Sequence, residues 1–221
     1  MKKIEMKKTV SIPIDPIILE GNLNIPETAQ GIVIFSHGSG SGRFSSRNNF
    51  VAGILQDAGF ATLLFDLLTE KEDEVYENRF NIPLLTERLE AVSAWLRTQP
   101  ETRQLAQGYF GASTGAASAL MAAAKLQHQI KAVVSRGGRP DMASEELSKV
   151  TAPTLLIVGG RDDMVIPLNQ IAYEEMTCVK QIETVPGATH LFEEPGKLEI
   201  VAHLSAQWFE KYLKQFDHVQ G

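Results

Sequence analysis

The sequence predicts an α/β fold built on a doubly wound, mostly parallel sheet of about eight strands. Several short runs are continuously apolar, which is typical of strands covered on both faces in a parallel sheet. Helical patterns separate these runs and indicate right-handed crossover connections. With 221 residues, 43% of them hydrophobic, the chain can bury one sizeable core, and we expect a single domain over residues 1–221.

The chain opens with two alternating patterns, residues 6–12 and 17–25, which predict an antiparallel pair at the sheet edge. The apolar runs that follow predict strands at residues 31–35, 61–65, 107–110, 130–134, 154–158 and 181–185. Helical spacing predicts helices at residues 48–58, 84–97, 114–125, 169–176 and 198–216.

Two connections bear on how open a site at this sheet would be. The connection between the strands at 130–134 and 154–158 is too short for a cap domain, so we expect an open site. Residues 70–77 are strongly acidic and are expected to form an irregular connection. That segment is either a solvated loop, which is the simpler interpretation, or a flap over the site.

Composition excludes several classes of function. The net charge of −6 and the pI near 5.4, without a basic cluster beyond the first residues, argue against nucleic-acid binding. No apolar run suits a signal peptide or a membrane span, so we expect a soluble, cytoplasmic protein without a membrane partner. The single cysteine, Cys178, cannot form an internal disulfide and is expected to fill space in the core.

The pattern Gly-x-Ser-x-Gly at residues 111–115 lies between a predicted strand and a predicted helix. On so tight a turn the serine projects from the backbone, and a Cβ at Gly111 or Gly115 would clash across the turn. The pattern alone is not specific, but its place between strand and helix makes Ser113 the candidate nucleophile.

A serine hydroxyl becomes a good nucleophile only when a neighbouring base takes its proton and an acid orients that base. His190 follows the last predicted strand and its turn, at the carboxyl edge of the sheet where a base belongs. Three other histidines are expected to be structural or merely exposed rather than to act as the base: His128, His203 and His218. The fifth histidine, His37, lies in the glycine-rich loop after the third strand and is considered with that loop below.

The candidate acid also lies at the carboxyl end of a predicted strand. Asp162 follows the strand at 154–158, and the three-residue step from Gly159 is expected to bring it back over the strand end. Asp163 and Asp66 remain alternatives. The chain order Ser113, Asp162, His190 is the nucleophile, acid, base order of α/β-hydrolases.

Attack on a carbonyl requires two main-chain N–H groups to hold the oxyanion. Thr114, the residue after the candidate nucleophile, is expected to supply one. The glycine-rich loop after the third strand is expected to supply the other from Ser39, with Gly40 next in line. Gly38 and Gly40 would let this loop approach a substrate, and His37 is expected to brace it by hydrogen bonding.

The same loop supports a second interpretation. Residues 38–40 follow a strand and precede a helix, and Asp66 ends the next parallel strand, as in a dinucleotide-binding fingerprint. Arg43 stands where that fingerprint needs its third glycine. An NAD-type oxidoreductase would also leave the serine, aspartate and histidine unexplained, so it is the less favoured alternative.

Arginines are frequent in the loops near this predicted edge. One interpretation is a carboxylate clamp for an anionic substrate, for which Arg43 and Arg136 are the candidate binding residues. The simpler interpretation is ion pairing with Glu193, Glu194 or the acidic segment. The arginines concerned are Arg43, Arg47, Arg79, Arg136 and Arg139.

Taken together, six segments resemble the dienelactone hydrolase-like branch of the α/β-hydrolases, in a small bacterial subgroup some of whose members are fused to a phosphoribosyltransferase. The resemblance runs from about residue 31 to residue 216. The segments are HGSGSGRFSSRN, ATLLFDLLTEKE, YFGASTGAA, VVSRGGRPD, TLLIVGGRDD and GATHLFEEPG. It implies an α/β-hydrolase fold without a cap domain. Dienelactone hydrolases proper look to carry a cysteine nucleophile, whereas this chain has Ser113.

The resemblance and the residues together lead us to expect a serine hydrolase that cleaves a carboxylic ester or lactone of a small molecule. Ser113, Asp162 and His190 would act through an acyl-enzyme, without a metal or cofactor. The alternative from another class is a non-catalytic binding module on a hydrolase scaffold. The three residue types and the oxyanion loop occur together, which favours the enzyme.

Overall fold

A computed structural model describes residues 4–214 of the chain. Its strands are β1 (Ile4–Ile14), β2 (Ile17–Pro26), β3 (Ile32–Ser36), β4 (Ala61–Phe65), β5 (Gln107–Ala112), β6 (Ile130–Arg136), β7 (Thr154–Gly159) and β8 (Lys180–Val185). Its α-helices are α1 (Ser46–Ala58), α2 (Glu70–Asp73), α3 (Ile82–Leu96), α4 (Thr114–Leu126), α5 (Ile166–Glu175) and α6 (Lys197–Tyr212). Segments of 3₁₀-helix cover Tyr76–Phe80, Gln127–Gln129 and Pro140–Lys149.

Within the described residues, all these strands belong to one sheet in the order β1-β2-β4-β3-β5-β6-β7-β8. The β1–β2 and β2–β4 pairs are antiparallel, and every pair from β4 to β8 is parallel. This arrangement confirms the predicted doubly wound, mostly parallel sheet without a cap domain. It also brings the carboxyl ends of β3, β5, β6, β7 and β8 to one edge, where ligands bind in such sheets.

Helices cover both faces of the sheet, which explains the continuously apolar strands. Successive strand residues point to opposite faces. In β3, Val33 and Phe35 join the core beneath α1 and α6, whereas Ile34 joins the core beneath α3 and α4. All three side chains are almost completely buried. Burial of each such side chain stabilises the fold by roughly 1.5–3 kcal/mol.

The prediction for the acidic segment was wrong, because residues 70–77 are not irregular. Thr69 caps α2 by accepting a hydrogen bond from the Glu72 N–H, and the Glu72 carboxylate accepts one from the Thr69 N–H. The Glu72 carboxylate also pairs with Arg88 of α3 at 2.6 Å. A reciprocal cap and an ion pair therefore fold this segment against the body of the protein.

Helix ends differ slightly from prediction. The fifth helix begins at Ile166 rather than at residue 169, since Pro167 suits the first turn of a helix. The last helix ends at Tyr212, and part of the predicted extension to residue 216 lies outside the described residues.

Cys178 is only half-buried, although it packs against the core. No helix among residues 4–214 has both the length and the apolar character to span a membrane. The single-domain organisation and the cytoplasmic location stay predictions.

Candidate active site

The turn at Ser113 joins β5 to α4 in a backbone conformation that is unusual for serine. Its φ of 52° lies in the left-handed region, which residues with a side chain adopt at a cost of about 1–3 kcal/mol. Hydrogen bonds hold the turn on both sides: the Ser113 N–H donates to the Arg136 carbonyl, and the Arg139 N–H donates to the Ser113 carbonyl. The surrounding structure thus fixes the strained turn.

Glycine is required on both sides of this serine, as the sequence predicted. A Cβ at Gly111 would lie 2.5 Å from the Ala116 Cα. A Cβ at Gly115 would overlap the carbonyl oxygens of Ser36 and His37. The two glycines let α4 start directly against the ends of β5 and β3.

The structure brings the three predicted side chains together. The Nε2 atom of His190 lies 3.3 Å from the Ser113 Oγ, and its Nδ1 atom lies 2.7 Å from the Asp162 Oδ2. Asp162 is 8% exposed, so its carboxylate is largely shielded from water. With the Nδ1 proton donated to this carboxylate, Nε2 is free to accept the Ser113 hydroxyl proton.

Two adjacent loops position the acid and the base. The Asp162 N–H donates to the Gly159 carbonyl, which closes a tight turn at the end of β7. A Cβ at Gly159 would lie 2.5 Å from the carbonyl oxygen of Ala188, so this glycine lets the loop carrying His190 cross the strand end. The Arg161 N–H donates to the same carbonyl at 2.9 Å and joins the two loops.

The alternative acids are placed elsewhere. Asp66 accepts hydrogen bonds from the main chain and the guanidinium of Arg43, and Asp163 is exposed. Of the other histidines, His128 and His203 are exposed, and His218 lies outside the described residues.

The glycine-rich loop reaches the turn at Ser113. The Ser39 N–H, the predicted oxyanion donor, donates to the Thr114 hydroxyl at 3.0 Å. Thr114 lies in the first turn of α4, where N–H groups point toward the N-terminal end of the helix and no preceding turn supplies a carbonyl. Its N–H therefore has no acceptor within the helix. Gly38 packs so closely that a Cβ on it would lie 3.1 Å from the Ser113 Cβ. Both predicted donors therefore lie beside the serine.

His37 braces this loop as the sequence predicted. Its Nδ1 atom lies 3.0 Å from the Gly38 carbonyl oxygen, and its Nε2 atom accepts a hydrogen bond from the Leu67 N–H at 3.0 Å. This pattern requires the neutral ring with its proton on Nδ1. Desolvation lowers the pKa of His37 below its usual value of 6.5, which favours the same neutral form.

A family model described as the dienelactone hydrolase family matches residues 19–220, nearly the whole chain. The chain belongs to the dienelactone hydrolase family. It is 51% identical to the dienelactone hydrolase of Anabaena variabilis, whose crystal structure superposes with a TM-score of 0.92 over 95% of this chain and 99% of that one. Est1E from Butyrivibrio proteoclasticus is 18% identical, with a TM-score of 0.79 over 92% of this chain and 98% of its own, and shares the fold.

Two curated relatives from Mycobacterium tuberculosis carry a different name. Each is provisionally named a phosphoribosyl transferase and is 56% identical to this chain over 204 residues. The match covers 92% of this chain but 46% of each relative, so the chain spans about half of their length. Membership of the dienelactone hydrolase family supports a hydrolase. The phosphoribosyl transferase name belongs to relatives that are about twice as long as this chain.

The arginines near the site of this family member fall into two groups. Four are ion-paired: Arg43 with Asp66, Arg47 with Glu193, Arg79 with Asp73, and Arg139 with Asp141. Arg136 has no ion pair within residues 4–214. Internal pairing thus accounts for four of the five, including the candidate binding residue Arg43. Two of the partners that we expected from the sequence are confirmed: Glu193 pairs with Arg47, and the acidic segment pairs with Arg79 through Asp73. Glu194, the third expected partner, pairs with none of the five arginines in the described part of the chain.

A cleft of about 500 Å³ opens beside the glycine-rich loop. Its lining includes His37, Ser41, Arg43 and Leu68, so apolar and charged groups are mixed. Within the described part of the chain, no cluster of three or more His, Cys, Asp or Glu side chains could hold a metal ion. The polar groups that the structure brings together at Ser113 are the histidine and aspartate side chains and the adjacent amides.

Proposed function

We propose that this chain is a serine hydrolase that cleaves a carboxylic ester or lactone of a small molecule through an acyl-enzyme. The observation that carries the proposal is the continuous hydrogen-bonded series from Ser113 through His190 to Asp162, with its separations of 3.3 and 2.7 Å. Family membership supports hydrolysis, and the serine on its strained turn supports the choice of nucleophile.

In the first half of the reaction, His190 Nε2 takes the Ser113 proton while Oγ attacks the carbonyl carbon. The carbonyl oxygen becomes an oxyanion, and the N–H groups of Ser39 and Thr114 hold it. In the resting site the Ser39 N–H is held by the Thr114 hydroxyl, so it is already turned toward the nucleophile. To hold the oxyanion, the Ser39 N–H has to share or exchange its hydrogen bond with the Thr114 hydroxyl.

The second half of the reaction reverses the proton transfers. The His190 imidazolium gives its proton to the departing alcohol oxygen, which leaves the acyl group on Ser113. Water then attacks the acyl carbonyl as His190 removes one of its protons. The bond from the acyl carbon to Ser113 Oγ breaks, His190 returns the proton to Oγ, and the acid product leaves. The buried Asp162 carboxylate stabilises the imidazolium in both halves and holds the ring in place.

The test compares wild type with Ser113→Ala on chromogenic esters, lactones and amides. Loss of the nucleophile should reduce turnover by about 10⁴- to 10⁶-fold. Because serine and alanine differ by one oxygen at a site already occupied by a Cβ, the melting temperature should change little. Equal turnover by the two proteins would reject the mechanism. Absence of turnover by correctly folded wild type would instead favour the binding module.

A further inference from the structure

Asn169 is a buried amide side chain that the proposed mechanism does not use. It lies near the start of α5 and is fully shielded from solvent. Its Nδ2 atom donates two hydrogen bonds, to the Gly138 carbonyl at 3.0 Å and to the Val165 carbonyl at 2.9 Å. Its Oδ1 atom is sealed from water and has no hydrogen-bond donor among the described residues.

An asparagine is an unfavourable choice for a position that serves core packing alone. A buried polar atom without a partner destabilises the folded protein, and an apolar side chain of similar size would avoid that penalty. Both N–H groups of the Asn169 amide are nevertheless used, and each is bound to a main-chain carbonyl. The position of those two carbonyls, rather than packing, explains the amide.

On one side the amide is tied to the loop that carries the acid. The N–H groups of Val165 and Ile166 both donate to the Asp162 carbonyl at 3.0 Å, so α5 begins directly on this loop. Asn169 binds the Val165 carbonyl twice, through its main-chain N–H at 3.1 Å and through its side chain. The position of Asn169 is thus fixed relative to the acid.

On the other side the amide is tied to the peptide group that holds the nucleophile's turn. The Gly138 carbonyl and the Arg139 N–H belong to one planar peptide group. Asn169 binds the oxygen of this group at 3.0 Å, and its N–H donates to the Ser113 carbonyl at 3.1 Å. A Cβ on Gly138 would lie 2.7 Å from the Ala116 Cβ, so the group also packs against the first turn of α4.

We propose that Asn169 is a positioning residue that fixes the nucleophile's turn relative to the acid's loop through the 138–139 peptide group. A strained backbone such as that of Ser113, with its φ of 52°, persists only when the surrounding structure holds it. The two hydrogen bonds run in series from α5 to this turn, so loss of the first loosens the second. The inference rests on the proposed hydrolase and adds a residue that sets the geometry of the same site.

The kinetic test replaces the amide by an apolar side chain of similar size, in Asn169→Leu. Turnover of p-nitrophenyl acetate and p-nitrophenyl butyrate should fall by about 10- to 100-fold in kcat, because a misplacement of about 1 Å at the reacting groups costs up to about 100-fold. KM should change by less than about threefold, because a fully buried side chain does not contact the substrate.

Gln107→Leu is the matched control. Gln107 is 3% exposed, and its Nε2 atom donates to the Ser93 carbonyl at 3.0 Å, so this change also removes a buried amide from a main-chain carbonyl. Gln107 begins β5, at the opposite end of the strand from Ser113. The control should lower the melting temperature about as much as Asn169→Leu but keep at least about half of the wild-type kcat. Equal losses of kcat would assign Asn169 a general structural role and overturn the proposal.

A double-mutant cycle tests the link between the nucleophile's turn and the acid. In the Asp162→Asn background the acid no longer contributes, so Asn169→Leu should lower kcat by at most about threefold. An undiminished loss in that background would show that Asn169 acts independently of the acid, which contradicts the proposed link.

Asn169→Asp keeps the size of the side chain and carries the test if the leucine variant does not fold. A protonated carboxyl can donate to the Gly138 carbonyl, whereas a carboxylate cannot. The ratio of its kcat to the wild-type kcat should therefore be at least about threefold larger at about pH 6 than at about pH 9. A ratio that is equal at the two pH values would overturn the role of the donated hydrogen bond.

Amide hydrogen exchange supplies a measurement that does not depend on turnover. Exchange of the Arg139 N–H should be at least about tenfold faster in Asn169→Leu than in wild type, and Gln107→Leu should accelerate it less. Equal acceleration in the two variants would show general destabilisation and overturn the link.

The two proposals can fail separately. If wild type hydrolyses no ester or lactone, the proposed function fails, while the exchange rates still support or reject the link made by Asn169. If wild type hydrolyses the esters and Asn169→Leu does so with unchanged kcat, the hydrolase stands and the role of Asn169 is rejected.

Discussion

Replacing Asp162 by asparagine tests how the base is held. The carboxylate accepts the His190 Nδ1 proton at 2.7 Å, which is within the range of charge-assisted hydrogen bonds. When His190 takes the Ser113 proton, an imidazolium forms beside this carboxylate. Two unit charges about 4 Å apart interact by about 4 kcal/mol at the effective dielectric constant of a protein surface.

That interaction is present in the transition state and weak before it, so its loss falls on kcat. At 1.36 kcal/mol for each factor of ten, about 4 kcal/mol corresponds to about 10³-fold. An amide can also hold the ring in the wrong tautomer, which extends the expected loss to about 10⁴-fold. KM should change much less, because Asp162 does not touch the substrate in the proposed mechanism.

The assay is initial-rate hydrolysis of an ester that wild type turns over well, with kcat and KM measured separately. Asp163→Asn is the matched control, since Asp163 is adjacent, carries the same charge and is exposed. It should keep at least about half of the wild-type kcat, as expected for a surface substitution. Asp162→Asn retaining more than a tenth of wild-type kcat, or an equal loss in both variants, would refute the assignment.

Three further predictions concern the loops around Ser113. Gly115→Ala should lower the free energy of unfolding by about 2–4 kcal/mol in urea titrations, because its Cβ overlaps main-chain oxygens. Its control is Gly53→Ala in α1, where a Cβ meets nothing within 4 Å, and which should be neutral or stabilising by up to about 1 kcal/mol. Thr114→Val should reduce kcat by about tenfold, because it removes the hydroxyl that orients the Ser39 N–H, whereas Thr114→Ser keeps that hydroxyl and should not. The folded-state pKa of His37 is lowered by burial, so its contribution to stability is complete above about pH 6.5 and is lost as pH falls through the folded pKa. Urea titrations at about pH 8 and about pH 5.5 should show that the free energy of unfolding falls less on acidification in His37→Gln than in wild type. An equal fall in the two proteins would contradict the assignment of this pH dependence to His37.

The architecture and the three central side chains were predictable because each depends on local pattern plus one general rule. Continuously apolar runs identified the buried strands, and carboxyl ends of parallel strands meet at one edge. Ser113, Asp162 and His190 each follow such a strand, so their convergence followed from the order of elements. Their roles in catalysis stay a proposal.

The α2 segment shows a signal that the sequence did contain. Thr69 and Glu72 have the spacing of a capping box, which predicts a helix start even in a strongly acidic stretch. The charge of residues 70–77 outweighed that pattern in the prediction. The hydrogen bonds within the first turn, rather than solvation, decide the conformation.

The arginine partners could not be read from the sequence. Arg43 pairs with Asp66, and Arg47 pairs with Glu193 across 146 positions, so proximity in the fold decides which carboxylate is used. The isolation of Arg136 is likewise a property of the assembled structure. Sequence alone left a carboxylate clamp and internal pairing as alternatives, and the structure shows internal pairing for four of the five arginines.

The most direct test of the central claim is active-site labelling with a fluorophosphonate, followed by intact mass and peptide mapping. The reagent reacts only with a serine whose proton is removed by a neighbouring base. Wild type should gain one phosphonyl group, located on Ser113, and Ser144→Ala, an exposed serine variant, should label equally. Ser113→Ala should gain none. Labelling at another residue, or no labelling of a wild type that hydrolyses esters, would contradict the account.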